Sequence, residues 1–394
     1  MLTTSAYFHI PFCRRRCTYC DFNTYSGMDN FIPAYVKAIC QEMKCFFNVF
    51  KDDVFVHTIY FGGGTPSVLS SEYYSSIILK LKRYSQILED AEISMEVNPG
   101  TVTFKFMSEI RKTGFNRLSI GMQSANKKEL ALLGRIHNVP EVLQTVRWAR
   151  QAGFDNINLD LIFGVPDQTV KSWKRSLQFA LDLYPEHLSL YSLTLGSGTP
   201  LSQAINNGLV SSINDDLSAE MYEWAINVLA RNGYEHYEIS NWARSDPDRS
   251  WRCKHNLQYW FNEPYIGFGA GAHSYYNQNR WENISAIPDY ILAIERIEKD
   301  KSHKLHNQIK NISIGKKTAM QETMMLGLRL IQDGVDSLRF FDRFNHDMER
   351  EFQKEIAELI NLGLVEWAGK EKIILRLTHR GMLMGNQVFM QFVD

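Results

Sequence analysis

Short apolar runs alternate with longer amphipathic stretches through the first half of the chain. The apolar runs predict six strands, at 6–10, 54–61, 93–97, 117–120, 157–163 and 187–193. Helical spacing of apolar residues between them is clearest at 31–50, from about 70, and at 169–183. Strand, polar or glycine-rich turn and helix repeated in this way is typical of a parallel sheet with right-handed crossovers. The sequence therefore predicts an α/β fold with a partial (β/α)6 TIM-like barrel.

Polar residues fall where three of the predicted strands end. Glu96, Gln123 and Asp160 lie at or just past strand C-termini, the face on which barrel enzymes build their sites. Glu96 and Asp160 would be charges in otherwise apolar strands. Because burial of an unpaired carboxylate is costly, each needs a partner or a ligand. For Asp160 an ion pair inside the barrel is the alternative.

The second half of the chain has a looser pattern. A helix is predicted at 215–232, a strand at 234–239, a polar loop at 245–252, and a glycine-rich return at 267–273. Helices at 323–330, 337–344 and 348–360, strands at 365–368 and 372–377, and a short helix from His379 outline a winged helix. We therefore expect a barrel domain with its extension over 1–295, a linker over 296–318 and a smaller winged-helix-like α+β domain over 319–394.

Composition and charge narrow the functional classes. The chain has 394 residues, 44% of them hydrophobic, and a formal net charge of −1. It can bury a sizeable core and has no bulk charge for nucleic acid. The helix predicted at 348–360 carries more acidic than basic residues, so nucleic acid is not an expected partner there either, and a DNA-binding regulator is the weakest of the functions considered. With no signal peptide and no run of 18 apolar residues, the expected location is the cytoplasm.

Three of the six cysteines are closely spaced near the N-terminus. Cys13, Cys17 and Cys20 form a C-x3-C-x2-C pattern, so one loop can turn three thiolates toward a metal or an iron–sulfur cluster. A structural zinc site needs four ligands, and no fourth is near: His9 is on the preceding strand, and Phe22 stands two residues after Cys20. A [4Fe–4S] cluster with three cysteine ligands keeps one iron free. Cys40 and Cys45 are expected to be small buried hydrophobes.

Three further motifs are ambiguous from the residues alone. Gly62-Gly63-Gly64-Thr65-Pro66 follows a strand and is either a tight turn or a place where bare backbone approaches a ligand. Gln123 and Arg135 could bind a hydroxyl and a carboxylate, although each alone is an ordinary residue. His255-Asn-Leu-Gln-Tyr-Trp260 is either a half-buried turn or a platform for a flat ligand such as a porphyrin, with His255 or Cys253 near the iron.

Together these motifs resemble the oxygen-independent coproporphyrinogen III oxidase-like branch of the radical S-adenosylmethionine (SAM) superfamily, and within it the haem chaperones of the HemW type. The resemblance rests on the following segments: Tyr7-x-His-Ile-Pro-Phe-Cys13-x3-Cys17-x2-Cys20, Gly62 to Pro66, Glu96-Val-Asn-Pro99, Gly121-x-Gln123-Ser124, Arg135, Asp160 to Pro166, and Leu377-Thr378-x2-Gly381. The His255 to Trp260 segment, and Phe22 where the oxidase has a further cysteine, favour the chaperone.

The resemblance implies cofactors and the residues that bind them. Cys13, Cys17 and Cys20 would ligate a [4Fe–4S] cluster whose open iron binds SAM. The implied SAM-site residues are Tyr7, Gly63, Gly64, Thr65, Glu96, Gln123, Arg135, Asp160 and Thr194. His255 is the candidate for haem.

The implied function is to bind haem and deliver it to haemoproteins, with membrane-associated respiratory proteins as acceptors. A homodimer and a peripheral position at the membrane are left open. The alternative is an enzyme that makes protoporphyrinogen IX from coproporphyrinogen III, and Phe22 leaves enzymatic activity uncertain.

Overall fold

A computed structural model describes residues 3–50, 54–299, 308–369, 371 and 373–393. The first half forms six parallel strands: β1 (Thr3–Ile10), β2 (Phe55–Gly63), β3 (Gln86–Val97), β4 (Arg117–Gln123), β5 (Ile157–Phe163) and β6 (His187–Ser192). They pair in chain order from β1 to β6. All six therefore end at the same edge, as a (β/α)6 partial barrel requires. The predicted fold class is confirmed, and β3 is longer at its N-terminal end than its apolar run indicated.

In the described part of the chain, eight helices cover this sheet. They are α1 (Ile32–Val49), α2 (Ser71–Tyr84), α3 (Phe104–Thr113), α4 (Lys127–Leu132), α5 (Val139–Gln151), α6 (Val170–Asp182), α7 (Pro200–Asn206) and α8 (Asp215–Arg231). The sequence predicted four of them: α1, α2, α6 and α8. Thr103, Asn126, Thr169 and Asn214 each accept a hydrogen bond from the first turn of the helix they precede. Such caps satisfy backbone N–H groups that have no partner within the helix, and so fix where each helix begins.

Later strands extend the barrel at both edges. Strands β7 (Tyr234–Glu238) and β8 (Asn241–Asp246) are antiparallel, and β8 pairs with β6. After α9 (Lys254–Trp260), strand β9 (Tyr265–Phe268) pairs in parallel with the outer side of β1, and β10 (His273–Tyr276), β11 (Asn279–Asn283) and β12 (Gln308–Ser313) follow in order. The polar loop predicted at 245–252 is wrong, because Asp246 pairs with Arg249 in a β-hairpin.

The C-terminal region is helical with a small sheet. Its helices are α11 (Lys316–Gly327), α12 (Ser337–Phe344), α13 (Met348–Glu351), α14 (Gln353–Asn361), α15 (His379–Leu383) and α16 (Gly385–Phe389). Strands β13 (Val365–Ala368) and β14 (Ile374–Leu377) pair with each other, and β14 also pairs with Val335–Asp336. The helix predicted at 348–360 is interrupted at Phe352. The buried side chains of this region form a core separate from that of the barrel.

The predicted linker is largely structured where it is described. Helix α10 (Ile287–Lys299) extends into the first residues of the predicted linker. Strand β12 pairs with β11 in the middle of the linker, and α11 begins before the linker ends. Composition did not predict this secondary structure, because the charged surface of α10 and the polar edge strand β12 resemble loop composition. Residues 300–307 of this segment lie outside the described residues. The domain boundaries themselves stay a prediction.

Candidate cofactor site

The cysteine loop follows β1 directly. Cys13 is buried, Cys17 and Cys20 are half-buried, and all three are free thiols. Each sulfur meets a polar group: Thr65 Oγ1 donates to Cys13 Sγ at 3.5 Å, Arg135 Nη1 donates to Cys17 Sγ at 3.6 Å, and Thr24 Oγ1 lies 3.6 Å from Cys20 Sγ. Three thiols that are close in sequence therefore share one polar environment at the edge of the barrel where the parallel strands end.

The arrangement does not suit a single metal ion. Among the residues described, no group of three or more His, Cys, Asp or Glu side chains converges on one ion position. The ligands of a four-iron cluster bind different irons, so they need not converge in this way. His9, the nearest histidine in sequence, is also engaged: its Nδ1 lies 3.0 Å from the Tyr7 hydroxyl and its Nε2 lies 2.8 Å from the Asn23 carbonyl. The donor set thus fits a three-cysteine cluster better than a zinc ion.

The glycine turn after β2 is packed against the cysteine loop. Gly64 N–H donates to the Ile10 carbonyl at 2.9 Å, and Thr65 N–H donates to the Phe12 carbonyl at 2.9 Å. A Cβ atom on Gly64 would lie 2.8 Å from the Phe12 oxygen and 2.9 Å from Cys13 Sγ. Gly63 has a φ of 117° and faces the His9 ring. The glycines are therefore needed because the two loops approach too closely for side chains.

A hydrogen-bonded chain joins four elements around the cysteines. Arg135 Nη2 donates to Asn98 Oδ1 at 2.6 Å and to the Gly121 carbonyl at 2.9 Å. Asn98 Nδ2 donates to Thr65 Oγ1 at 2.9 Å, and Thr65 in turn donates to Cys13. Arg135, which is remote in sequence from the cysteine loop, is thereby fixed beside Cys17 Sγ and linked through Asn98 and Thr65 to Cys13 Sγ. Its positive charge can offset the negative charge of a thiolate-bound cluster.

Most of the predicted site residues line one cavity of about 360 Å³. Ligand pockets usually measure about 300–1,000 Å³, so this cavity suits one small molecule. Phe22 is 64% exposed and also lines it. The predicted residues that the structure brings together here are Cys13, Cys17, Cys20, Gly63, Gly64, Thr65, Glu96, Gln123, Arg135, Asp160 and Thr194.

Both strand carboxylates face this cavity and have hydrogen-bond donors. Glu96 accepts from Gly63 N–H at 3.0 Å and from the Tyr60 hydroxyl at 3.1 Å. Asp160 accepts from Asn158 Nδ2 at 2.7 Å and from Ser119 Oγ. Burial, and then the charge of Asp160, raises the pKa of Glu96 to about 7. Burial also raises the pKa of Asp160. The charge of Arg117 opposes this rise at Asp160, so a ligand and an internal charge pair both stay predictions for that carboxylate.

Tyr7 and His255 lie elsewhere. They line a deeper chamber of about 210 Å³, which adjoins the cavity through the shared wall residues Tyr60, Glu96, Ser119 and Tyr191. His255 belongs to α9 and is 2% exposed. Its Nδ1 lies 2.8 Å from Thr58 Oγ1 and its Nε2 lies 3.1 Å from the Tyr259 hydroxyl. A haem iron would reach Nε2 only if the contact with Tyr259 were broken.

The His255 to Trp260 segment is a helix, which neither interpretation of it anticipated. Glu92, 6% exposed on β3, accepts hydrogen bonds from the N–H groups of Lys254 and His255 at the first turn of α9. A carboxylate at this position offsets the partial positive charge of the helix N-terminus. Cys253 is completely buried beside Glu92.

Sequence reasoning missed several wall residues. Tyr60, Asn98, Ser119 and Tyr191 line the cavity, and Arg117 lines the chamber. Asn98 directly follows the β3 apolar run that contains Glu96, so it could have been predicted from the same strand end. Arg117 and Ser119 are two residues apart on β4 and therefore share its inward face. The apolar residues of the same run concealed this period-2 pattern.

No helix among the described residues is long and apolar enough to cross a membrane. This agrees with the sequence, in which no apolar run of that length occurs.

Comparison with known proteins places the chain in a family. Residues 7–180 match the radical SAM superfamily model, and residues 314–384 match the HemN C-terminal domain model. The chain is 34% identical to the heme chaperone HemW of Lactococcus lactis, covering 99% of this chain and 97% of that protein. It is 35% identical to the heme chaperone HemW of Bacillus subtilis, covering 99% of each.

A solved structure has the same fold. The coproporphyrinogen III oxidase HemN from Escherichia coli, a radical SAM enzyme, superposes with a TM-score of 0.83 at 23% identity, covering 99% of this chain and 90% of that one. This likeness shows the fold, and the 34–35% identity to the HemW proteins over 99% of the chain shows the family. The chain belongs to the radical SAM superfamily, in the oxygen-independent coproporphyrinogen III oxidase-like branch that contains the HemW haem chaperones.

Proposed function

We propose that this protein is a haem chaperone that carries a [4Fe–4S] cluster, binds SAM and haem, and delivers haem to haemoproteins. The observation that carries the proposal is the similarity to HemW proteins over 99% of the chain. Membership of the radical SAM superfamily implies the cluster and SAM. We propose membrane-associated respiratory proteins as the acceptors of the haem.

Cys13, Cys17 and Cys20 are the proposed cluster ligands, and the cavity beside them is the proposed SAM site. Three thiols are the donors of this site, and a glycine turn without room for side chains and a half-buried arginine lie beside them, which fits a cluster. A cluster held by Cys13, Cys17 and Cys20 would supply the electron for reductive cleavage of a SAM molecule bound beside it. The chain's own residues would hold the ligand: Gln123 and Thr194 offer polar contacts, and Glu96 and Asp160 offer negative charge.

The competing function is oxidation of coproporphyrinogen III, and Phe22 separates the two. This side chain stands where the oxidase has a further cysteine, and it leaves an apolar ring at the cavity wall in place of a thiol. A phenyl ring can neither ligate iron nor exchange a proton. We therefore expect no turnover of the porphyrinogen.

An anaerobic assay tests the proposal. Reconstituted protein is mixed with dithionite, SAM and coproporphyrinogen III, and protoporphyrinogen IX is measured after oxidation to the porphyrin. A parallel sample is titrated with haem and followed by absorbance. We expect saturable haem binding without porphyrin product. Formation of product at many turnovers per chain would overturn the chaperone assignment, and so would absence of haem binding by protein that retains its iron.

SAM binding is expected to strengthen as the pH rises through about 7, because the raised pKa of Glu96 leaves its carboxyl protonated below that value. The sulfonium of SAM is positive, so the ionised carboxylate attracts it more strongly. Below the pKa the affinity should fall by up to about tenfold per pH unit. Equilibrium dialysis of SAM under anaerobic conditions measures this. The variant Glu96→Gln should bind weakly with a much flatter pH profile, and an unchanged profile would contradict the assignment.

A further inference from the structure

Arg117 is a buried cation that the proposed function does not use. It is the first residue of β4 and is 2% exposed, and its Nε has no hydrogen-bond partner in the described part of the chain. Burial lowers the pKa of this guanidinium, but Cys253 and Glu92 nearby outweigh that effect and hold the pKa above its usual range. The side chain is therefore a permanent positive charge inside the barrel. A buried charge without a hydrogen-bonded partner is costly to maintain.

The chamber that Arg117 lines is polar and has room for a ligand. Its volume is about 210 Å³, enough for several water molecules or a short organic anion. Ser119, Asn158, Ser189 and Asn256 add hydroxyl and amide groups to its wall. Glu96 and Tyr60 belong to both this chamber and the cysteine-lined cavity, so the two spaces adjoin. A ligand of the cavity could therefore extend an arm into the chamber.

The charges in the chamber select the type of anion. The Arg117 guanidinium and the Glu96 carboxylate both line the chamber. Asp160 is hydrogen-bonded to Ser119, which also lines the chamber. These carboxylates would repel a dianion such as phosphate more strongly than a monoanion. The planar guanidinium fork matches the two oxygens of a carboxylate. A carboxylate thus fits both the charge and the donor geometry.

We propose that Arg117 forms a binding subsite for a small carboxylate group in the chamber beneath the cysteine-lined cavity. The carboxylate is either a free ion or the arm of a larger ligand that enters through the cavity. Asn256, on α9, is half-buried, lines the chamber and does not line the cysteine-lined cavity. Its side chain can therefore be enlarged to fill the chamber from a position outside the cysteine-lined cavity.

Equilibrium dialysis of radiolabelled propionate against the reconstituted protein tests the subsite. Wild-type protein should bind about one propionate per chain, and Arg117→Gln should raise the dissociation constant at least about tenfold. Asn256→Phe should also prevent binding, because it fills the chamber while leaving the guanidinium intact. Arg147→Gln, on the exposed face of α5, is the matched control and should bind like the wild type. Iron content and the midpoint of chemical unfolding of each variant show that the fold is preserved.

Two results would overturn the subsite: failure of the wild type to bind propionate, or equal binding by Arg117→Gln in protein with normal iron content. Competition then identifies the source of the carboxylate. Displacement by haem but not by haem dimethyl ester would support the arm of a larger ligand, and displacement by neither would support a free carboxylate. Because propionate binding is measured without haem, the subsite can stand even if the chaperone function fails.

Discussion

Replacing Cys20 with alanine is expected to leave the reconstituted protein almost free of iron. Cys20 is one of three free thiols in the loop after β1, and no other cysteine of the described chain lines the cavity. A cluster held by three protein thiolates that loses one of them has too few anchors to survive gel filtration. Iron should fall from about four atoms per chain to less than one, with parallel loss of the visible absorption. Cys13→Ala and Cys17→Ala should behave in the same way.

The matched control is Cys40→Ala. Cys40 lies on α1, half-buried against the barrel core, and is not part of the cavity. The Cys40→Ala protein should keep its iron, because the substitution removes only a small side chain from a partly buried position. If the three loop variants also retained about four irons, the cluster would have to be bound elsewhere, and the proposed SAM site would lose its basis.

Replacing Gly64 with alanine is expected to produce the second large effect. The new methyl group would lie 2.8 Å from the Phe12 carbonyl oxygen and 2.9 Å from Cys13 Sγ. The oxygen belongs to backbone that accepts a hydrogen bond from Thr65 N–H, so neither loop can move freely. Forcing such an overpacked contact costs about 1–3 kcal/mol. The shift moves Cys13, so the cluster should be partly lost as well.

Chemical unfolding and iron analysis of the same preparations measure both consequences. The control is Gly315→Ala, since a Cβ atom there has nothing within 4 Å and the residue has a φ of −69°. Because Gly315 is an N-cap, a cost below about 1 kcal/mol is expected with no loss of iron. Equal stability and iron content in the Gly64 and Gly315 variants would show that the turn does not constrain the cysteine loop.

Local sequence patterns were sufficient to predict the six parallel strands of the barrel. The β5 strand was predicted with its observed bounds, because its apolar run is closed at both ends by polar or glycine residues. Prediction failed where local composition was misleading. The polar hairpin around Arg249 and the edge strand β12 have few apolar residues, since edge strands need not bury both faces.

The residues of the candidate site also divide into those whose location the sequence predicted and those whose location it did not. Strand ends and cysteine spacing identified Cys13, Glu96 and Asp160, because parallel strands bring their ends to one edge. The location of His255 could not be predicted in this way. The same six residues could form an exposed platform or a buried helix, and the contacts with Glu92 and Thr58, each more than 150 residues away, decided for the helix.

By itself, the sequence determined the barrel, the three-cysteine loop, the glycine turn and the family, because each depends on residue type and spacing within a short segment. Only the tertiary structure decided that Arg135 lies beside Cys17, that Tyr7 and His255 face a second chamber, and that Arg117 is a buried cation there. Those facts depend on which distant segments meet across the barrel. The burial and charge of such contacts arise from packing, which no local pattern records.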